Sequence, residues 1–242
     1  MSSVNFTFEE NEFVYTVTGD GTVGLGNLSI NEQTKNAIAI GKTCPENVII
    51  PSTVKNGQYT VTSILRRALH RCPIYSIKLP NTITIIKIRG MSMLNVREII
   101  IPASVEILET YAISGYKSCK KLVFAAGSKL REIKYGAFDR YLAESIIIPP
   151  NVQTIGKEVF YEWKNLKFIY VCSSTFIEES TDFWRGAPNN IKIYVTNIYQ
   201  GSTFGGRPVE VIDHCGYFSD NYNNICSCIY RGKMKNNLIF FI

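Results

Sequence analysis

The 242-residue chain predicts a strand-rich α/β solenoid: short parallel strands joined by short helical turns, in about five to six repeats. Two observations carry that expectation. An aliphatic run closed by proline recurs as Ile49-Ile50-Pro51, Ile77-Lys78-Leu79-Pro80, Ile99-Ile100-Ile101-Pro102 and Ile146-Ile147-Ile148-Pro149. Downstream of the last three prolines, apolar or small positions share offsets of three, six, ten and eleven: Ile83, Ile86, Gly90, Met91; Val105, Leu108, Ala112, Ile113; Val152, Ile155, Val159, Phe160. The bulky position thus falls at 69, 91, 113, 138 and 160, steps of 22 with one of 25. A period in the twenties marks stacked units, because one unit cannot bury its own apolar edge.

The N-terminal segment, residues 1–47, reads as a β cap. Phe6/Phe8 and Phe13/Tyr15/Val17 alternate, as in half-buried strands, with Glu9-Glu10-Asn11 and Gly19-Asp20-Gly21 as turns. Val23-Gly24-Leu25 begins a third strand, and residues 31–47 are polar and loop-like.

Residues 48–171 are the solenoid. In each unit a β-branched run is a strand, and the proline stops it because proline cannot donate to a ladder. The pair three and six residues on, such as Val152 and Ile155, makes a second short extended segment. The small-plus-bulky pair then packs as a compact helical turn. Four residues past the small position stands another inward side chain: Cys72, Leu94, Tyr116, Tyr141, Trp163. The first unit inserts Lys55-Asn56-Gly57-Gln58-Tyr59-Thr60-Val61, whose Asn-Gly suggests a hairpin. Another, Leu122-Val123-Phe124-Ala125-Ala126-Gly127, lacks its proline. With about 4.8 Å between stacked strands, five or six units span roughly 25–30 Å.

The run Ile-x-Ile-Pro-x-x-Val-x-x-Ile-Gly-x-x-x-Phe, from Ile146 to Phe160, resembles the BspA-like leucine-rich repeats. The likeness covers roughly residues 48–171. Tyr59 to Ile64 resembles that family's first-repeat entry, and Ile193-Tyr194-Val195 through Ser202-Thr203-Phe204-Gly205-Gly206 its closing segment. Gly90-Met91 and Ala112-Ile113 depart from the family's Ala-Phe. The resemblance implies a leucine-rich repeat solenoid acting as a surface antigen in adhesion, with a protein partner, host or extracellular-matrix proteins among them.

Residues 172–212 read as a C-terminal cap, with Phe183 and Trp184 in a loop, a strand at Ile191–Val195 and another at Pro208–Ile212. The tail, 213–242, is off-pattern and reads as poorly ordered or weakly docked.

Composition is ordinary: 45% hydrophobic, 19% charged, net charge +6. That balance excludes a wholly disordered chain and falls short of a nucleic-acid signature. No apolar run approaches the ~20 residues of a membrane span. The N-terminus shows no basic and apolar leader pattern, and Leu238–Ile242 is too short for an anchor tail. A cell surface is therefore implied by resemblance alone, with a cytoplasmic location as the alternative. Two glycosylation tripeptides, Asn5-Phe6-Thr7 and Asn27-Leu28-Ser29, would matter only in a secreted chain.

Candidate chemistry is thin. His214-Cys215 and Cys226-Ser227-Cys228 offer soft ligands, but without Cys-x-x-Cys spacing free thiols or a non-native disulfide are preferred over zinc. Cys72 and Cys119 fall on core positions and read as small apolar residues. Adjacent His214 and Cys215 on an extended segment point apart, so they make no nucleophile pair. His70 reads as an exposed turn histidine. Gly19-Asp20-Gly21 and Gly24-x-Gly26 lack the Lys-Ser/Thr of a phosphate loop and read as turns. No enzyme, metal or cofactor is expected.

The outward strand face is the candidate site. If Ile99 and Ile101 point inward, Ile100 points out. Its stacked equivalents are Lys78, Val123, Ile147 and Tyr170; the neighbouring column holds Ser76, Glu98, Lys121, Ser145 and Phe168. An apolar column on a solvent face marks a partner surface, unless β-branched residues merely suit the strand or a loop covers them. The expected function is a non-enzymatic protein-interaction module; the alternative is an intracellular scaffold.

Overall fold

A computed structural model describes residues 6–28, 36–39, 41–173 and 182–212 in full, and residues 214–218 and 225–229 as backbone. Strand β1 (Thr7–Glu10), β2 (Phe13–Gly19) and β3 (Thr22–Leu25) form the expected antiparallel meander. They are followed by β4 (Asn47–Ile49), β5 (Thr53–Val54) and β6 (Tyr59–Ile64). Strands β5 and β6 form the expected hairpin across the Asn-Gly, with Lys55, Asn56 and Gly57 all at positive φ.

The next four coils each contribute a longer and a two-residue strand. These are β7 (Ser76–Lys78) and β8 (Ile85–Ile86), β9 (Glu98–Ile101) and β10 (Ile107–Leu108), β11 (Lys121–Phe124) and β12 (Glu132–Ile133), β13 (Ser145–Ile148) and β14 (Thr154–Ile155). The chain continues through β15 (Phe168–Val171), β16 (Lys192–Thr196), β17 (Thr203–Phe204), β18 (Arg207–Pro208) and β19 (Glu210–Ile212). A final antiparallel pair is β20 (His214–Phe218) with β21 (Ile225–Ile229).

Three walls enclose the core. The short strands stack in parallel as β6-β8-β10-β12-β14 and join β3 at the N-terminal end, completing a 9-stranded sheet with β1, β2 and β5. The longer strands make a second wall in three parallel pieces: β4-β7, β9-β11 and β13-β15-β16-β19. Proline turns the corner between these walls. The carbonyls of Pro80, Pro102 and Pro149 accept from the amides of Ile83, Val105 and Val152 three residues on.

The third wall corrects the sequence expectation: among the described residues there is no helix. In the first coil the amides of Ala68, His70 and Cys72 donate three residues back, closing tight turns. The alternate amides, of Arg67, Leu69 and Arg71, donate to Ile88, Gly90 and Ser92 of the next coil. The same alternation runs from Arg89, Met91 and Met93 to Thr110, Ala112 and Ser114, and ends at Glu158, Phe160 and Glu162 bonding Asp182, Phe183 and Arg185. A helix would spend those amides within its own turn. Alternation instead needs left-handed backbone, found at Arg67, Arg71, Arg89, Met93, Tyr111, Arg140, Glu158 and Glu162.

The predicted inward positions are the core. Cys72, Leu94, Tyr116, Tyr141 and Trp163 are all buried, as are Leu69, Met91, Ile113, Phe138 and Phe160. Cys72 departs from its reading as a plain apolar filler. It is disulfide-bonded to Cys44, with Cα atoms 5.7 Å apart, because the loop before β4 passes over the first coil's core position. Cys119 does behave as a buried free thiol, its pKa pushed up to about 11 by burial. The tail is not structureless, since it holds the β20–β21 hairpin, which sequence reasoning did not anticipate.

Candidate binding surface

The strand register decides which residues share the outer face. Ile100 stands opposite Val123, and Glu98 opposite Lys121. Ile147 stands opposite Tyr170, which in turn faces Tyr194; Ser145 and Phe168 occupy the adjoining positions. Lys78 pairs with Ile49. Strand β7 lies beside β9, and β11 beside β13, without ladder pairing. The predicted residues therefore form one column along the wall, in three hydrogen-bonded pieces.

Period-two alternation sets which strand residues face outward. Ile99 and Ile101 are buried while Ile100 is 37% exposed. Ile146 and Ile148 are buried while Ile147 is half-buried. Phe168 and Tyr170 are half-buried beside Tyr194, with stacked ring centroids 6.4 and 5.2 Å from it. Glu98 and Lys121 make an exposed ion pair at 3.3 Å, worth little to stability but fixing a polar margin beside the apolar column. Val123 is the exception. It stands on the outer face, between core-facing Leu122 and Phe124, yet is only 7% exposed. Strand β21 lies against β11 and β13 at this point.

Sequence reasoning missed two members of the column. Ile49 is 74% exposed and in register with Lys78. It stands two residues before Pro51, as Lys78, Ile100 and Ile147 stand before their prolines, so the repeat itself held that signal. Tyr194 follows Tyr170 in the ladder, in a strand whose unit lacks the proline.

His70 is a correction: it is buried, not exposed, because Ser92 of the next coil hydrogen-bonds its Nδ1 at 2.6 Å. Burial, with Arg71, Arg89 and Arg67 nearby, lowers its pKa to about 4, so at neutral pH it is an uncharged packing residue. Gly19-Asp20-Gly21 lies at the β2–β3 turn, with Gly21 at φ 62°. Among the described residues no three His, Cys, Asp or Glu side chains gather to hold a metal. The side chains of His214, Cys215, Cys226 and Cys228, and the residues Asn5 and Ser29 of the two tripeptides, lie outside the described residues. No described helix is long and apolar enough to cross a membrane.

Comparison with one solved structure gives the same fold. The crystal structure of pneumococcal vaccine antigen PcpA is similar at 20% identity and TM-score 0.50, over 88% of this chain and 49% of that one. This chain thus spans about half the length of that protein, and the likeness shows the fold alone. The T. pallidum leucine rich repeat protein TpLRR matches at 18% identity and TM-score 0.46, over 79% of this chain and 71% of its own. No curated protein matches. A family model described as a BspA type leucine rich repeat region matches residues 62–184 in six copies, half of the chain. The chain belongs to the BspA-type leucine-rich repeat family.

Proposed function

We propose that this chain is a non-enzymatic interaction module that binds a protein partner through its outer strand face, at a cell surface. One observation carries the reading: an apolar column, with Ile49 74% and Ile100 37% exposed, on a wall whose inward residues are already fully used in the core. Aliphatic residues facing solvent on one wall are a partner surface in search of cover. Half-buried Phe168, Tyr170 and Tyr194 extend it with the aromatic side chains that dominate binding hot spots.

The surface location draws support from the Cys44–Cys72 bond, since disulfides persist where the compartment is oxidising. That bond favours an extracellular module over an intracellular scaffold. Adhesion to a host or matrix protein is the corresponding role.

Two measurements test this. Intact cells treated with a membrane-impermeant amine reagent should yield labelled protein; absence of label overturns the surface location. The purified chain, applied to immobilised extracellular-matrix proteins, should bind, and Ile100→Lys with Ile147→Lys should weaken binding at least ~10-fold with an unchanged unfolding transition. Equal binding by the folded double variant would sink the strand-face reading.

A further inference from the structure

The outer face is not evenly open, and its cover comes from the same chain. Exposure along the column falls from Ile49 at 74% through Ile100 at 37% to Val123 at 7%. Val123 is in register with Ile100 and stands outside the contiguous core cluster between the walls, so its burial is accounted for by something lying on the face. The element at that place is β21, which lies against both β11 and β13.

We propose that the β20–β21 hairpin is a built-in occupant of the strand face, a cis cover that a binding partner must displace. The inference rests on the strand-face reading above. The connection allows it: β19 ends at Ile212 and β20 begins at His214. From β19 back to β11 the wall is crossed in four steps, β16, β15, β13 and β11. At about 4.8 Å each, that is roughly 19 Å. The 13 residues from Ile212 to Ile225 reach about 43 Å when extended, so the hairpin arrives at β11 with chain to spare.

Its chemistry also suits the seat. The strands read His-Cys-Gly-Tyr-Phe and Ile-Cys-Ser-Cys-Ile, with no Asp, Glu, Lys or Arg, so laying them over Val123 and Ile147 strands no formal charge. The cover lowers apparent affinity by the fraction of molecules in which the face is open. Removing it raises affinity without altering a single contact residue.

The test uses the full chain. With Ile147 replaced by a photo-crosslinking diazirine residue, illumination should join position 147 to the peptide holding residues 225–229 within one chain, at any protein concentration. Crosslinks only between chains, or none to the hairpin, overturn the proposal. Ser227→Pro breaks the β21 ladder and should raise the fluorescence of an apolar dye about threefold or more, an increase cancelled by adding Ile100→Ser and Ile147→Ser. Gly216→Pro, in β20, serves the same purpose if Ser227→Pro does not fold. A folded Ser227→Pro or Gly216→Pro chain with unchanged dye binding refutes the cover. The two readings fail separately. Opening of the face without any gain in matrix-protein binding leaves the cover standing and removes the protein-binding role. Matrix-protein binding by both wild type and Ser227→Pro, equal in strength and with dye fluorescence also unchanged, leaves that role standing and removes the cover.

Discussion

The first and last coils share a backbone path but fill it differently. In the N-terminal coils the inward positions are aliphatic or sulfur-bearing: Leu69, Cys72, Met91, Leu94. In the C-terminal coils they are Tyr116, Phe138, Tyr141, Phe160, Trp163 and Phe183. Tyr116, Tyr141 and Trp163 run as a ladder with ring centroids 5.2 and 5.1 Å apart. Each aromatic tip also reaches back one coil, Tyr116 Oη to the Met91 carbonyl, Tyr141 Oη to Ile113 and Trp163 Nε1 to Ala143. Large rings fill the coil and staple it to its neighbour, at the cost of polar atoms that must be satisfied. Aliphatic coils make no such staples, and here the Cys44–Cys72 bond and the β1–β3 meander brace them instead.

Three measurements would break or sharpen that contrast. Trp163→Ala should have the largest effect, about 3–5 kcal/mol by chemical denaturation, since it opens a cavity and strands the Ala143 carbonyl. Leu94→Ala, the equivalent change in an aliphatic coil, should cost less. Equal losses would mean the aromatic ladder adds nothing beyond volume. Joint replacement of Cys44 and Cys72 by serine should cost about 2–4 kcal/mol, with faster amide exchange in β4 to β8 and little change in β13 to β16. Exchange rising uniformly would show one cooperative unit, not two differently braced halves.

The smallest effect concerns pH. His70 has a folded pKa of about 4 against 6.5 for the free side chain, so between those values the unfolded chain binds more protons. The contribution is therefore full above about pH 6.5 and is lost as pH falls through 4. After solvent screening it should be of order 1 kcal/mol, read as a lower thermal midpoint at pH 4.5 than at pH 7. The His70→Gln variant should flatten that slope. An unaltered slope would assign the acid sensitivity elsewhere.

Much of the architecture was legible because repetition multiplies weak signals. One proline after Ile101 says little; four such prolines at one register define a wall and put Ile100 outside it. The turn wall was misread for a physical reason. Small, bulky and inward positions at Ala68, Leu69 and Cys72 suit a helix face as well as a hydrogen-bonded turn, and the left-handed residues that distinguish the two, such as Arg67 and Glu158, carry no glycine signature. Long-range facts were invisible for another reason. Cys44 meets Cys72 over 28 residues, and His70 is buried by Ser92 of another coil, so no local window holds both partners. Val123 stands in register with Ile100, and the hairpin strand against β11 lies outside the repeat, so no repeat signal reports it.

The one-way bonding of the turn wall gives the solenoid an electrical sense. From Arg67–Ile88 to Glu162–Arg185 the earlier coil donates and the later coil accepts, so those peptide dipoles align along the stack. The wall is negative toward its first coil and positive toward its last, much as a helix is, though each peptide belongs to a different turn of the solenoid. The side chains follow suit. Arg66, Arg67, Arg71 and Arg89 cluster in the first two coils, where carbonyls point outward along the axis; Glu158, Glu162 and Asp182 gather in the last, where amides do, with Lys157, Lys164 and Arg185 as exceptions. Asn36 closes the acceptor end, its side-chain amide donating to the Arg66 carbonyl at 2.6 Å. The two ends of the stack are thus chemically unlike, and a coil fitted to one would not fit the other.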